Sequence, residues 1–156
     1  MCRQCDNPSD SDAEEDIDGL RECVREHGWV IKYVEDAQRP YAYTVGLHQF
    51  GLPEFLVTRV TTERALALLD YFVQDAITEG TPRPGDRVVL ADTAQIEAVH
   101  VDHPDAHLDL AVLLFGPKVR AVQLVWTDMY GRWPWDKQFD FDGLRQPVLG
   151  VRSKVA

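Results

Sequence analysis

Short runs of β-branched and aromatic residues, separated by short polar turns, constrain the fold of this chain more than any other feature. The first two runs are residues 29–34 and 41–47, and the polar segment 35–40 lies between them. Residues of this kind favour strands, and a loop this short joins two neighbouring antiparallel strands. A third run, residues 54–60, follows a turn that contains glycine and proline. The pattern therefore predicts three consecutive strands.

Three other segments have the spacing of amphipathic helices. The first is residues 11–27, which begins with a capping box from Ser11 to Glu14 and ends before Gly28. The second begins after a cap at Thr61 or Thr62 and carries a broad apolar stripe as far as Gly80. The third is residues 104–115, with a proline in its first turn.

Two more runs, residues 87–90 and 95–101, predict a hairpin, and residues 120–127 predict a final strand. The order of elements is then α-β-β-β-α-β-β-α-β. Consecutive strands with short connections outnumber alternating strand and helix units, which is typical of the α+β class. We expect a mainly antiparallel sheet of five to six strands with three helices packed on it.

The chain of 156 residues has the length of one ordinary domain. We predict a single α+β domain over residues 13–150. Residues 1–12 are expected to form an acidic tail that carries a C-x-x-C motif, and residues 151–156 a C-terminal tail.

The formal net charge of −10 bears on partners. The first eighteen residues hold seven acidic residues against Arg3 alone. This charge repels phosphate backbones and argues against nucleic-acid binding, whereas a protein with a basic or apolar surface is compatible with it. No stretch approaches the ~20 apolar residues of a membrane span, and the first residues lack the apolar core of a signal peptide. We therefore expect a cytoplasmic protein without membrane contact.

The cysteines define one candidate metal site. Cys2 and Cys5 have the spacing of half a zinc site, and Cys23 and His27 lie one helical turn apart on one predicted helix face. The four residues together predict a zinc site, which is structural if all four bind and catalytic only if one position stays open. The alternative is that Cys23 is an ordinary helix thiol, that His27 is favoured by the helix dipole, and that the tail is frayed.

A second candidate metal or acid–base cluster is formed by His100, His103 and His107, which alternate with aspartates. The strand-to-helix change at this point scatters their directions. The favoured interpretation is structural, with Asp105 capping the third helix.

A third candidate lies where the second strand ends. Thr44, His48 and Glu54 are predicted to meet near one loop, and Gly46 allows the backbone to approach a ligand closely. A binding pocket is one interpretation. The other is that Gly46 marks a bulge and that Glu54 accepts hydrogen bonds from loop amides.

Aromatic residues are concentrated near the end of the chain, with Arg132 among them. They are Trp126, Tyr130, Trp133, Trp135, Phe139 and Phe141. Aromatic residues and arginine are enriched in protein interfaces, which predicts that Arg132, Trp133 and Trp135 bind a partner. The alternative is that the aromatic residues close the core as a lid after the last strand.

Several short segments, in this order and spacing, resemble a bacterial family called domain of unknown function 4262. They are His27-Gly28-Trp29, Ala42-Tyr43-Thr44-Val45-Gly46-Leu47, Leu52-Pro53-Glu54, Val122-Gln123-Leu124-Val125 and Trp133-Pro134-Trp135-Asp136. The opening Met1-Cys2-Arg3-Gln4-Cys5 is similar to the start of actinobacterial members. The resemblance implies no settled activity, substrate or catalytic residue.

Two functions from different classes remain. The sequence contains no nucleophile elbow, phosphate-binding loop, dinucleotide fingerprint or H-E-x-x-H motif, so an enzymatic role lacks its usual support. The first function is a protein-binding or regulatory module, of which an immunity-like partner is one version. The alternative is a zinc protein, structural or catalytic, that uses Cys2 and Cys5 with Cys23 and His27.

Overall fold

Six strands form one sheet in the computed structural model, which describes residues 13–139 and 145–152 and side chains from residue 17 onward. The elements are helix α1 (Ala13–His27), strands β1 (Val30–Val34), β2 (Tyr41–Val45) and β3 (Glu54–Thr58), helix α2 (Thr62–Glu79), strands β4 (Arg87–Val89) and β5 (Gln95–His100), helix α3 (Asp109–Phe115) and strand β6 (Ala121–Trp126). Short 3-10 helices lie at Leu47–Phe50 and Pro104–Ala106. The predicted order of elements and the α+β class are confirmed.

The sheet is antiparallel except at its centre. Its strand order is β1-β2-β3-β6-β5-β4, and only β3 and β6 are parallel, with Glu54 opposite Ala121 and Leu56 opposite Gln123. The chain between these two strands contains α2, the β4–β5 hairpin and α3. Because β3 and β6 are parallel neighbours, their carboxyl ends meet at the same edge of the sheet. The residues that follow each strand are therefore brought together there.

The helices are divided between the two faces of the sheet. The apolar stripe of α2, with Leu69, Phe72 and Val73, packs in one cluster with Phe55 and Leu124 of the central strands. A second buried cluster joins α1 and α3 to alternate residues of the same strands. Burial of large apolar side chains of this kind stabilises a fold by about 1.5–3 kcal/mol each. No helix within the described residues is long and apolar enough to cross a membrane.

Helix α2 begins as the sequence predicts. The Thr61 side chain accepts a hydrogen bond from the Arg64 amide at 3.2 Å, which is the arrangement of a helix cap. Gly80, at φ 95°, ends the helix in a conformation that favours glycine. The predicted capping box at Ser11 lies outside the described residues.

Several predicted boundaries are wrong. The second strand ends at Val45 rather than at residue 47, because a 3-10 helix begins at Leu47. The continuous helix expected over residues 104–115 is a 3-10 turn followed by α3, and Leu108 between them leaves helical geometry at φ −106° and ψ 59°. The Leu108 side chain is fully buried, so the apolar pattern marked the core positions but not the backbone that presents them. The third strand ends at Thr58 rather than at residue 60, because Arg59 adopts a left-handed backbone at φ 53°.

Residues 145–152, here called the C-terminal segment, cross the central strands. The Gln146 side chain accepts from the Trp126 amide at 3.1 Å and donates to the Trp126 carbonyl at 2.8 Å. The buried Gln123 side chain donates to the Pro147 carbonyl at 2.7 Å and accepts from the Leu149 amide at 2.7 Å. The C-terminal segment thus supplies hydrogen-bond partners for the Trp126 backbone and for the Gln123 side chain, and it is therefore part of the fold.

Candidate functional site

The predicted cluster of Thr44, His48 and Glu54 does form. Glu54 is fully buried, and its Oε1 accepts from the amides of Gly46 and His48 at 2.9 and 3.2 Å. Its Oε2 accepts from the Thr44 hydroxyl at 2.7 Å and the Leu47 amide at 3.3 Å. Burial raises the pKa of Glu54, and the four donors oppose the rise. Since a carboxylate offers about four acceptor positions, none is left for a ligand.

Gly46 lets this loop approach the end of α1. A Cβ atom placed on Gly46 would lie 2.6 Å from the Gly28 carbonyl oxygen and 2.8 Å from the Trp29 Cα. The backbone at Gly46 also has φ 128°, which favours glycine. The His48 ring packs against Phe115 with the ring centroids 5.4 Å apart. These contacts fit the structural interpretation of the cluster.

The candidate zinc ligands lie partly outside the described residues, because Cys2 and Cys5 belong to residues 1–12. Cys23 is buried on the face of α1 that packs into the core, in one cluster with Leu20 and Val24. His27 is exposed at the end of α1. Because two of the four ligands lie outside the described residues, zinc binding by this set stays a prediction.

Elsewhere in the described ranges, no group of three histidine, cysteine, aspartate or glutamate residues is placed to hold a metal ion. His100, His103 and His107 therefore do not converge. His103 precedes the 3-10 turn at φ 52°, and the α3 cap predicted for Asp105 is absent, since Leu108 occupies the cap position without a side-chain hydrogen bond.

Trp133 and Trp135 form a stack on the sheet face opposite α2. Their rings are 5.2 Å apart and nearly parallel, with Arg87 lying 4.6 Å from the Trp133 centroid and Arg152 lying 3.6 Å from the Trp135 centroid. Both arginines donate to the buried Glu97 carboxylate, through Nε at 2.9 and 2.8 Å. Although burial works to raise the pKa of Glu97, hydrogen bonds from Arg152 and Arg87 lower it overall. This part of the predicted binding surface is a lid whose charges are mutually paired.

The turn that follows β6, residues 128–132, is organised by the buried Asp128. Its Oδ1 accepts from the amides of Tyr130 and Arg132, both at 2.9 Å, and its Oδ2 accepts from the Arg132 Nε at 2.8 Å. The Arg132 guanidinium also lies 4.6 Å from the Tyr130 ring centroid. Met129 and Tyr130 project from this turn and are 86% and 70% exposed.

A pocket of about 470 Å³ lies beside this turn, at the carboxyl ends of β3 and β6. Its walls include Arg59, Val60, Arg64, Trp126, Met129 and Tyr130. The volume falls in the range of ligand-binding clefts, roughly 300–1,000 Å³. The parallel pairing of β3 and β6 creates the pocket, because it places the residues after each strand at one edge.

Sequence analysis missed Arg59 and Met129. Arg59 interrupts an apolar run just before a helix cap, and Met129 stands beside an aromatic residue in a turn that ends at Gly131. Both positions carry a signal, since a charge inside a strand pattern and two large side chains in a turn are unusual. Neither signal indicates the pocket, which depends on the pairing of distant strands.

The fold and the site define the chain as an α+β domain that presents an exposed turn beside a pocket at one edge of its sheet. The family model described as Domain of unknown function (DUF4262) matches residues 23–140, and the chain belongs to this family. The family resemblance seen in the sequence is thereby confirmed. No curated protein and no solved structure matches the chain.

Proposed function

We propose that this chain is a protein-binding module whose recognition surface is the 128–132 turn with the adjacent pocket. The observation that carries the proposal is the exposure of Met129 and Tyr130, at 86% and 70%, as neighbours on one turn. Methionine, tyrosine and arginine are enriched in interfaces, and all three side chains occur within these five residues.

The turn is held in position before any partner arrives. Asp128 accepts hydrogen bonds from two amides of the turn and forms an ion pair with Arg132. The Arg132 guanidinium in turn covers one side of the Tyr130 ring. A side chain that is already ordered loses less conformational entropy on binding, roughly 0.5–1.5 kcal/mol less for each rotamer-rich group. Preorganisation of this kind supports a recognition role better than a role in packing, because the two side chains bury little surface in the protein itself.

The proposed binding residues, Met129 and Tyr130, precede the Trp133 and Trp135 that the sequence indicated. Trp133 is buried, and the Trp135 ring is covered by Arg152. Both rings already have partners, whereas Tyr130 offers its outer face. The partner that suits Met129 and Tyr130 has an apolar surface, and occupation of such a surface is how a regulatory or immunity-like module acts on its partner.

Site-specific photo-crosslinking tests the proposal. A benzophenone amino acid is placed at Tyr130 in one version of the protein and at Tyr71 in another, and both are expressed in the cells that naturally make the protein. Tyr71 is the matched control, because it is an aromatic residue 50% exposed on α2, away from the turn. The proposal predicts one discrete protein adduct from position 130 and no such adduct from position 71.

Competition separates specific contact from chance proximity. Excess unlabelled wild-type protein should abolish the adduct in extract, whereas excess Met129→Ser/Tyr130→Ser protein should leave it in place. The proposal is wrong if position 130 gives no adduct, if position 71 gives the same adduct, or if the double variant competes as well as the wild type.

A further inference from the structure

Among the charged residues that line the pocket, Arg59 is the one with no ion pair to a described residue. Its buried Nε has no hydrogen-bond partner within residues 13–139 and 145–152. Asp36 is an exposed carboxylate whose pKa is lowered chiefly by hydrogen bonds from the amides of Gln38 and Arg39. The charge of Arg59 makes the smallest contribution to that lowering, so Asp36 does not neutralise Arg59. Buried polar groups are nearly always hydrogen-bonded, so the surroundings of this guanidinium leave its charge unmatched, and an anion that enters the adjacent pocket is able to pair with it.

The backbone at Arg59 supports the same conclusion. It adopts φ 53°, a conformation that side chains larger than glycine seldom take, and its amide donates to the Pro40 carbonyl at 2.8 Å. Strain at a non-glycine residue persists where the surrounding structure holds it, and such residues cluster at binding sites. The strained backbone ends β3 and directs the residue to the edge where the pocket lies.

The other arginines near the pocket already have carboxylate partners. Arg64 is paired with Asp92 at 2.8 Å, and Arg132 is paired with Asp128 at 2.8 Å. Arg59 is left as a positive charge in the pocket wall of a chain whose formal net charge is −10. A negatively charged group is therefore the complementary occupant.

Apolar side chains in the same pocket wall narrow the choice of negatively charged occupant. Val60, Trp126 and Met129 line the pocket beside Arg59. An occupant that satisfies both features carries an anionic group, such as a carboxylate, and an apolar group on the same carbon atom. The carboxyl-terminal residue of a protein meets this description when its side chain is apolar, and capture of a terminal carboxylate is a known mode of peptide recognition.

We propose that the pocket binds the C-terminal carboxylate of a partner chain that ends in an apolar residue, with Arg59 as the residue that pairs with the carboxylate. This inference rests on the proposed protein-binding function and names the chemistry of the partner. The terminal side chain packs against Val60 and Trp126, while the preceding residues cross Met129 and Tyr130.

Matched peptides test the inference. The probes are acetylated tripeptides that end in leucine, phenylalanine or valine, each made as the free acid and as the carboxamide. Binding is followed in ¹⁵N-labelled protein by backbone amide shifts and by the Arg59 Nε–H signal. We expect the free acids to bind at least about tenfold more tightly than the carboxamides and to shift the Arg59 signal, because a charge-assisted hydrogen bond has about that effect.

Variants assign the preference to Arg59. Arg59→Gln should remove the difference between acid and carboxamide, and Arg39→Gln should leave it intact, since Arg39 is an exposed arginine outside the pocket lining. Arg59→Gly is a second variant that removes the guanidinium without unfolding the protein, because glycine accepts a positive φ without strain. It should lose the preference while its urea midpoint stays equal to or above that of the wild type.

Two further probes distinguish the source of the carboxylate. A tripeptide amide with a glutamate side chain and free N-acetylleucine should both bind at least about tenfold more weakly than the free-acid tripeptides. The inference is overturned if either binds equally well, if acid and carboxamide bind alike, if none binds, or if Arg59→Gln keeps the preference. An adduct from position 130 together with any of these results would leave the binding function standing and remove only the terminal-carboxylate inference.

Discussion

Replacement of the buried Glu54 by glutamine is expected to destabilise the protein with a defined pH dependence. Glutamine has the same size but carries one acceptor oxygen instead of two, so two of the four donors around position 54 lose their acceptor. Each buried donor left unsatisfied costs about 1–3 kcal/mol, and relief from burying a charge offsets part of this. We expect a net loss of about 2–4 kcal/mol in the free energy of unfolding at a pH above the folded pKa of Glu54, where the carboxylate is ionised.

The pH dependence follows from the raised pKa of Glu54. The folded protein holds the proton more tightly than the unfolded chain, whose value is near 4.5. The stability that this proton contributes is complete below that value and is lost as the pH rises through the folded pKa. Glutamine does not titrate, so the difference between wild type and Glu54→Gln should be largest at low pH and should shrink as the pH rises.

Urea unfolding from pH 4 to pH 8, followed by circular dichroism, measures this difference. Glu35→Gln is the control, because Glu35 is an exposed residue of the β1–β2 loop and its replacement should change stability by less than about 0.5 kcal/mol. A loss below 0.5 kcal/mol for Glu54→Gln, or a difference that grows as the pH rises, would refute the role assigned to the buried carboxylate.

Three other predictions concern separate parts of the chain. Gly46→Ala should destabilise the protein by more than about 3 kcal/mol, because the added Cβ would lie 2.6 Å from a backbone oxygen. Gly51→Ala is the control: its Cβ would meet no described atom within 4 Å beyond its chain neighbours, so only its positive φ should cost about 1–2 kcal/mol. Urea unfolding of both variants measures the difference. Arg152→Gln should lose about 1–2 kcal/mol at pH 7, reduced by the 35% exposure of that side chain. Because the pKa of Glu97 is lowered, the ion-pair part of this loss should shrink as the pH falls through the folded pKa, and a loss that grows as the pH falls contradicts this. Elemental analysis of reduced protein purified without chelator should find about one zinc per chain, absent after Cys2→Ser/Cys5→Ser, and a zinc-free wild type would remove the zinc prediction.

Local sequence patterns were sufficient to predict most of the secondary structure. The cap at Thr61 and the glycine stop at Gly80 were visible because both depend on the residues at one position. The β1–β2 hairpin was predictable for the same reason, since its register pairs Val30 with Val45 across a short loop. These features are decided by neighbours along the chain.

Contacts between distant residues could not be predicted in this way. The parallel pairing of β3 with β6 joins residues more than sixty positions apart, and no local pattern encodes it. The pairing of Arg152 with Glu97 depends on the C-terminal segment crossing the sheet, and the sequence analysis placed Arg152 in a tail of residues 151–156 outside the domain. The pocket and the environment of Arg59 are consequences of these distant contacts, so the sequence alone could not reveal them.

The Thr44 and Glu54 cluster lies between these two cases. Sequence analysis brought the residues together correctly, because all of them border one loop. It left open whether the carboxylate faces a ligand or the loop itself. The answer required the positions of three amides, which depend on the 3-10 turn at Leu47–Phe50 that the sequence did not predict.

Hydroxyl-radical footprinting in an extract of the cells that make the protein tests the central claim most directly. Met129 and Tyr130 are exposed in the isolated protein and should be oxidised quickly there, while Tyr71 reports on general radical dose. If the 128–132 turn is a recognition surface, the oxidation of Met129 and Tyr130 relative to Tyr71 should fall severalfold in native extract compared with purified protein. Equal relative rates in the two samples would contradict the claim that this turn binds a partner.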